Sequence, residues 1–90
     1  MPPKITVYTT DPCSFCVRVK DLLRKRGLDF EEINLAKDAD GRMKLAQHTG
    51  MLSFPQVIVG DQLIGGFREL LEADRDGTLV EILSALAPAA

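Results

Sequence analysis

The chain has 90 residues, which is enough for one compact domain and too few for two, so we predict a single domain over residues 1–90. Hydrophobic residues make up 46% of it, and 11 basic side chains stand against 13 acidic ones, for a formal net charge of −2. This balance gives no reason to expect nucleic acid or an anionic membrane as a partner. The segment MPPKITVYTT contains no apolar stretch like that of a signal peptide, so we expect a cytoplasmic protein, and we expect a monomer.

The first half of the chain predicts a strand, a helix and a second strand. Residues 5–9 are β-branched or aromatic, which favours a buried strand. After Cys13 the apolar residues recur at helical spacing, and Gly27 follows the basic last turn as a stop signal. Residues 30–34 predict the second strand. The strand–helix–strand order implies that these two strands are parallel, with a right-handed crossover.

Further elements are expected in the second half of the chain: a helix, two strands joined by a tight Gly60-Asp61 turn, and two helical stretches. They are predicted over residues 39–48, 54–59, 62–64, 67–73 and 79–86. In the first of these helices, Met43, Leu45 and Ala46 are available for burial. The tight turn makes the last two strands antiparallel, so the sequence predicts an α/β fold, a four-stranded mixed sheet flanked by helices.

The two cysteines, Cys13 and Cys16, lie three residues apart where a strand gives way to a helix. A bridge over so short a loop adds little chain-entropy stabilisation, so its purpose is expected to be chemical. At the helix start, unpaired N–H groups and the helix dipole favour the thiolate of Cys13, which is the nucleophilic form. Cys16 lies on the same side of the helix and is placed to resolve a mixed disulfide formed on Cys13.

Two other interpretations of this pair exist. The cysteines could form part of a zinc site, but His48 is the only histidine and there is no third cysteine, so the chain alone cannot supply the usual four ligands. They could also be inert core residues. A C-x-x-C pair at a strand-to-helix junction favours redox chemistry over both, and we predict no bound metal.

Three segments resemble the glutaredoxin family. Residues 7–16, VYTTDPCSFC, resemble its active-site segment, whose usual core is C-P-Y-C. Ser53-Phe54-Pro55 resembles its T-V-P, and residues 64–70, IGGFREL, resemble its I-G-G-C-x-D-L. The spacings between the blocks also fit, so the resemblance extends from Lys4 to about Leu86. It implies a thioredoxin-like fold, disulfide oxidoreductase activity, and glutathione as co-substrate for reducing protein disulfides or glutathionylated proteins.

The resemblance also implies binding residues. It implies a cis peptide between Phe54 and Pro55, with the backbone of Phe54 pairing with a substrate as an added strand. Arg42 matches by position a residue that binds the glycine carboxylate of glutathione, and an ordinary solvated helix charge is the other interpretation. The helix start at Gly66-Phe67-Arg68 is expected to hold the γ-glutamyl carboxylate on its free N–H groups, unless Gly65-Gly66 is only a turn.

The chain departs from the family pattern at several positions. Ser14 replaces a proline, and Phe15 replaces a tyrosine while keeping the aromatic face expected in the binding site. Glu69 stands in the place of an aspartate. The segment Gly66-Phe67-Arg68 is closer to the S-G-F of glutaredoxin-like electron donors to ribonucleotide reductase. These departures leave two alternatives: an electron donor recharged by thioredoxin reductase, and a carrier of a two-iron cluster held between two protomers.

Overall fold

A computed structural model describes residues 3–86 of the chain. Within that part the elements are β1 (Ile5–Thr9), α1 (Ser14–Lys25), β2 (Glu31–Asn34), α2 (Ala39–Thr49), β3 (Gln56–Val59), β4 (Gln62–Gly65), α3 (Phe67–Asp76) and α4 (Thr78–Leu86). The predicted order of elements is confirmed. Two boundaries differ by more than one residue. Strand β3 begins at Gln56 rather than Phe54, because Pro55 has no N–H to give to a ladder, and α3 continues to Asp76, where Gly77 ends it at a positive φ of 85°.

The four strands form one mixed sheet in the order β2-β1-β3-β4. Strand β1 is parallel to β2 and antiparallel to β3, and β3 is antiparallel to β4, as predicted. With these directions the carboxyl ends of β1, β2 and β4 meet the amino end of β3 at one edge of the sheet. The segments that carry Cys13, Pro55 and Gly66 all begin or end there, so the topology gathers the predicted site at this edge.

The core lies between the sheet and the buried faces of α1, α3 and α4. It is formed by Ile5, Val7, Val19, Leu23, Val57, Val59, Leu70, Ala73 and Leu79. In α2 the expectation for Met43 is wrong: its side chain is 63% exposed, whereas Leu45 is buried. The two residues are two positions apart, which turns their side chains to nearly opposite sides of a helix, so both cannot face the sheet. No helix within residues 3–86 has the length and apolar character needed to cross a membrane.

Glu32 on β2 is tied to both β1 and α1. The buried hydroxyl of Thr9 donates a hydrogen bond to its Oε2 at 2.8 Å, and Lys20 Nζ donates to its two oxygens at 3.1 and 3.2 Å. The bond from Thr9, helped by Lys20, holds the pKa of Glu32 below its usual value. A carboxyl with a lowered folded pKa stabilises the fold above its unfolded pKa, and that stability is lost as pH falls through the folded pKa.

We therefore expect Glu32→Gln to lower the free energy of unfolding by about 1 kcal/mol at neutral pH. The difference from the wild type should shrink as pH falls below about 4.3, the ordinary glutamate pKa, and vanish below the folded pKa. Urea unfolding at a series of pH values measures this difference in the free energy of unfolding. Glu31→Gln is the matched control, since the Glu31–Lys4 ion pair is exposed and should contribute little. Equal losses in the two variants would contradict the assignment.

Candidate active site

Cys13 and Cys16 form a disulfide at the start of α1, with their Cα atoms 5.3 Å apart. Cys16 is 2% exposed and lies against the core, whereas Cys13 is only half-buried. A substrate that approaches from outside therefore meets Cys13 first, and Cys16 is covered by the protein. This asymmetry matches the predicted division of roles between an attacking and a resolving cysteine.

Cys13 is the N-cap of α1, at the helix start where the sequence analysis placed it. Its backbone is extended, with φ −153° and ψ 96°, and the N–H of Cys16 donates to its Sγ at 3.1 Å. A capping side chain accepts from the otherwise unpaired N–H groups of the first turn, and here the acceptor is sulfur. Once the disulfide is reduced, the same N–H and the helix dipole favour negative charge on that sulfur, so the position favours a nucleophilic thiolate.

A groove of about 400 Å³ is lined on one side by Phe15, which lies between the two cysteines in the chain. Its lining residues are Phe15, Met51, Ser53, Phe54, Pro55, Gly66, Phe67, Arg68, Glu69 and Leu71. The structure therefore brings together six of the residues expected to bind substrate or glutathione. Arg42 is the one expected residue that does not line this groove.

The wall of the groove nearest β3 is formed by Phe54 and Pro55. The peptide bond between them is cis, as expected, and the Asp11–Pro12 bond is also cis, which the sequence analysis did not anticipate. The ladder between β1 and β3 reaches only to the pair Tyr8 and Gln56, so Phe54 lies outside it. The backbone of Phe54 is therefore not used in pairing with β1.

Gln56 is a residue that the sequence analysis missed. It is completely buried, and its Nε2 donates to the carbonyl oxygens of Met51 and Ser53 at 3.1 and 3.0 Å. Its Oε1 has no hydrogen-bond partner among residues 3–86. These bonds fix the loop that carries the groove residues before Pro55. The feature of the sequence that could have indicated Gln56 is a polar side chain at the start of an otherwise apolar strand.

The start of α3 is partly occupied by the protein itself. The N–H of Gly66 donates to Glu69 Oε1 at 3.0 Å, which is one half of a capping box. Gly65, at φ +124°, makes room for this carboxylate: a Cβ there would lie 2.9 Å from the Glu69 side chain. The expectation that the N–H of Gly66 is free is therefore wrong. The N–H groups of Phe67 and Arg68 belong to the first turn and have no partner within the helix.

Arg42 anchors the loop between β2 and α2. Its Nη1 donates to the carbonyl oxygens of Leu35 and Ala36 at 2.6 and 2.9 Å. This contact was not anticipated, because the sequence analysis weighed only a ligand contact against a solvated charge. His48, the only histidine of the chain, lies exposed in the last turn of α2.

An aromatic pair with an arginine over it lies next to the disulfide. The rings of Phe15 and Phe67 are stacked, with centroids 5.9 Å apart and planes inclined by 26°. The guanidinium of Arg18 lies 5.6 Å from the Phe15 centroid and 6.0 Å from that of Phe67. The sequence analysis also missed Arg18, although it follows Phe15 by three positions and so shares its side of α1.

Known proteins with similar sequences indicate the family to which this chain belongs. The sequence model of the family described as Glutaredoxin matches residues 5–64. The glutaredoxin of Pseudomonas aeruginosa is 39% identical over 85 residues, covering 94% of this chain and 100% of that protein. Glutaredoxin 3 of Escherichia coli is 32% identical over 79 residues, covering 88% of this chain and 95% of the relative.

Solved structures agree with the sequence comparison. The buckwheat glutaredoxin–glutathione complex superposes with a TM-score of 0.82 at 34% identity, covering 92% of this chain and 78% of that one. The holo form of glutaredoxin C1 from Populus tremula x tremuloides gives a TM-score of 0.82 at 30% identity, over 92% of this chain and 85% of that one. The expected thioredoxin-like fold is thereby confirmed. Because relatives match over most of the chain and the fold agrees, the chain belongs to the glutaredoxin family and is a thiol–disulfide oxidoreductase.

Proposed function

We propose that the chain reduces protein–glutathione mixed disulfides and protein disulfides, and that glutathione recharges its cysteine pair. The observation that carries this proposal is the half-buried Cys13 sulfur at a helix start, beside a groove with further places for an anion. Those places are the first-turn N–H groups of α3 and the exposed guanidinium of Arg68, which lines the groove. Glutathione carries two carboxylates, so a groove with such donors suits it.

In the proposed reaction the Cys13 thiolate attacks one sulfur of the substrate disulfide and forms a new disulfide with it. The other substrate sulfur leaves with the electron pair of the broken bond and takes up a proton. Either Cys16 or a glutathione thiolate then attacks Cys13 and frees the second substrate thiol. Attack by Cys16 leaves a Cys13–Cys16 disulfide, and attack by glutathione leaves a disulfide between Cys13 and glutathione. Glutathione thiolates break that bond and leave as glutathione disulfide, so two glutathione thiols lose two electrons and two protons and both cysteines return to thiols.

The groove also suits the docking of a polypeptide. Phe54 lies outside the β1–β3 ladder, so we propose that its backbone pairs with an extended substrate segment. Because glutathione must be kept reduced for such a cycle, we further propose that the protein works in the cytoplasm.

The reductant is tested by turnover of a glutathionylated peptide with NADPH and either glutathione plus glutathione reductase or thioredoxin reductase. We expect turnover with the first system and little with the second. Rapid reduction by thioredoxin reductase without turnover on glutathione would instead support the electron-donor alternative, which the segment Phe67-Arg68 favours. Cys13→Ser is the inactive control for both systems.

The same assay has a second readout, for Arg42. If its guanidinium holds a glutathione carboxylate, Arg42→Glu should raise KM for the glutathionylated peptide several-fold more than Lys44→Glu, an equal charge change on the same helix. If Arg42 only anchors the loop after β2, Arg42→Glu should lower the unfolding temperature while KM follows the Lys44→Glu control. Comparing KM and the unfolding temperature of Arg42→Glu with those of Lys44→Glu therefore distinguishes glutathione binding from loop anchoring.

A further inference from the structure

We propose that the groove and its rim of arginines dock a segment of a partner protein that carries an acidic residue beside the reacting cysteine and an apolar or aromatic residue next to it. This inference rests on the proposed reductase function and adds the class of protein substrate. It draws on the exposed apolar wall of the groove, on Arg18, and on the distribution of charge around both.

The apolar part of the segment has a surface to contact. The Phe15 side chain is 52% exposed and stacks on Phe67, so the two rings present one continuous apolar wall. Leu52, which lies between the groove residues Met51 and Ser53, is 86% exposed. Apolar side chains clustered in this way around a reactive sulfur are typical of an interaction surface.

The charged part of the segment has partners at the rim. A guanidinium that lies over aromatic rings keeps the N–H groups at its edge free to donate to a carboxylate, so the stacked position of Arg18 suits an acidic side chain. Arg68, which is exposed, lines the groove itself. Arg18 is not a lining residue, but it lies over Phe15 and Phe67, which are, so both guanidinium groups border the apolar wall.

The charges of the protein itself do not neutralise this rim. Ion pairs at other places engage basic side chains, namely Lys4 with Glu31, Lys20 with Glu32, Arg24 with Asp21, and Arg26 with Asp74. Among residues 3–86, neither Arg18 nor Arg68 has a carboxylate oxygen within 4.0 Å. The rim is therefore complementary to an acidic partner.

Two acidic side chains flank the site, one in the groove and one before the cysteines, and both accept hydrogen bonds from other groups. Glu69 is the only acidic residue lining the groove in the described part of the chain, and its Oε1 accepts from the N–H of Gly66. Asp11 precedes the cysteines, and its Oδ2 accepts from Asn34 on β2, which lies on the opposite side of β1 from the groove. Neither carboxylate lies against the two arginines, so an incoming acidic residue meets positive charge.

The experiment uses three peptides that differ only beside the cysteine, where they carry Asp, Asn or Lys, with Phe as the next residue. Each cysteine is disulfide-bonded to 2-mercaptoethanol, which is uncharged, so the peptide alone supplies the charge. Fully reduced wild-type protein is mixed with each peptide, and the single-turnover rate is measured without any glutathione. In that turnover Cys13 and Cys16 lose two electrons, and the peptide and 2-mercaptoethanol leave as thiols.

We expect the Asp peptide to react about tenfold faster than the Lys peptide at low salt, with the Asn peptide between them. The ratio should fall as salt is added, because salt screens exposed charges. Arg18→Glu should bring the ratio to about one or invert it, and Arg18→Gln should reduce it by less, on the same electrostatic grounds. Arg24→Glu is the matched control: Arg24 is exposed on the same helix, its guanidinium lies 5.4 Å from the ring centroid of Phe30, and its replacement should leave the ratio unchanged.

Equal rates for the three peptides, no measurable attack on any of them, or an equal effect of Arg24→Glu and Arg18→Glu would overturn the inference. Turnover of the mixed disulfide of glutathione and 2-mercaptoethanol, with glutathione as reductant, is measured in parallel. If that turnover persists without any charge preference on peptides, the docking inference alone fails. If the preference is present and that turnover is absent, the docking inference stands and glutathione dependence fails.

Discussion

Replacing Cys13 with serine is expected to abolish disulfide reduction, with a loss on the order of a thousandfold or more, because the attacking thiolate is removed. Cys13 is the reachable sulfur at the helix start, and Cys16, which is 2% exposed, cannot take over the attack. Cys16→Ser is expected to keep activity toward glutathione mixed disulfides within about tenfold of the wild type, since free glutathione can resolve the intermediate. Toward an intramolecular protein disulfide, Cys16→Ser should lose much more.

These rates are measured with a glutathionylated peptide and with a disulfide-bonded protein as paired substrates. Ser14→Ala is the control for disturbance of the helix start, since Ser14 is exposed and lies between the two cysteines. It should remain close to the wild type on both substrates. Equal losses in Cys13→Ser and Cys16→Ser toward the glutathionylated peptide would show that the assigned roles are wrong.

Leu23→Ala is expected to lower the free energy of unfolding by about 2–5 kcal/mol, since the leucine is completely buried in the core face of α1. A small domain has only about 5–15 kcal/mol to lose, so this one change should remove a large part of its stability. Urea denaturation followed by circular dichroism measures the effect. Leu52→Ala makes the same chemical change at a side chain that is 86% exposed, and it should alter stability by less than about 0.5 kcal/mol.

Equal destabilisation of the two leucine variants would contradict the burial of Leu23 against the sheet.

A large loss of stability in Leu23→Ala alone would also bear on activity. Because α1 carries both cysteines, looser packing of its inner face weakens the support of the active site. Activity at low temperature, where the variant stays folded, should therefore be retained better than activity near its unfolding midpoint.

The sequence predicted the elements and their order because these follow from periodicity and stop signals along the chain. The β-branched and aromatic run in β1, the helical spacing after Cys13 and the tight turn between β3 and β4 are all local patterns. The directions of the strands then followed from connection rules, and these placed the cysteines and Pro55 at one edge of the sheet. The positions of site residues that depend only on the path of the backbone could therefore be predicted from the sequence.

Three of the missed features are hydrogen bonds between a side chain and the backbone. The bonds from Gln56 to its loop, from Gly66 to Glu69 and from Arg42 to the carbonyl oxygens after β2 depend on rotamers and loop paths. No period in the sequence encodes them. The Met43 error has a different cause: the helix was predicted correctly, but the angle between its apolar positions was not worked out.

Because the Cys13 sulfur caps α1, the oxidation state of that sulfur affects the first turn of the helix. A thiolate accepts hydrogen bonds more strongly than a sulfur held in a disulfide, so we expect reduction to strengthen the bond from the Cys16 amide and to steady the first turn. The solvent exchange of that single amide proton should then slow when the protein is reduced, and hydrogen exchange measured on both forms checks it.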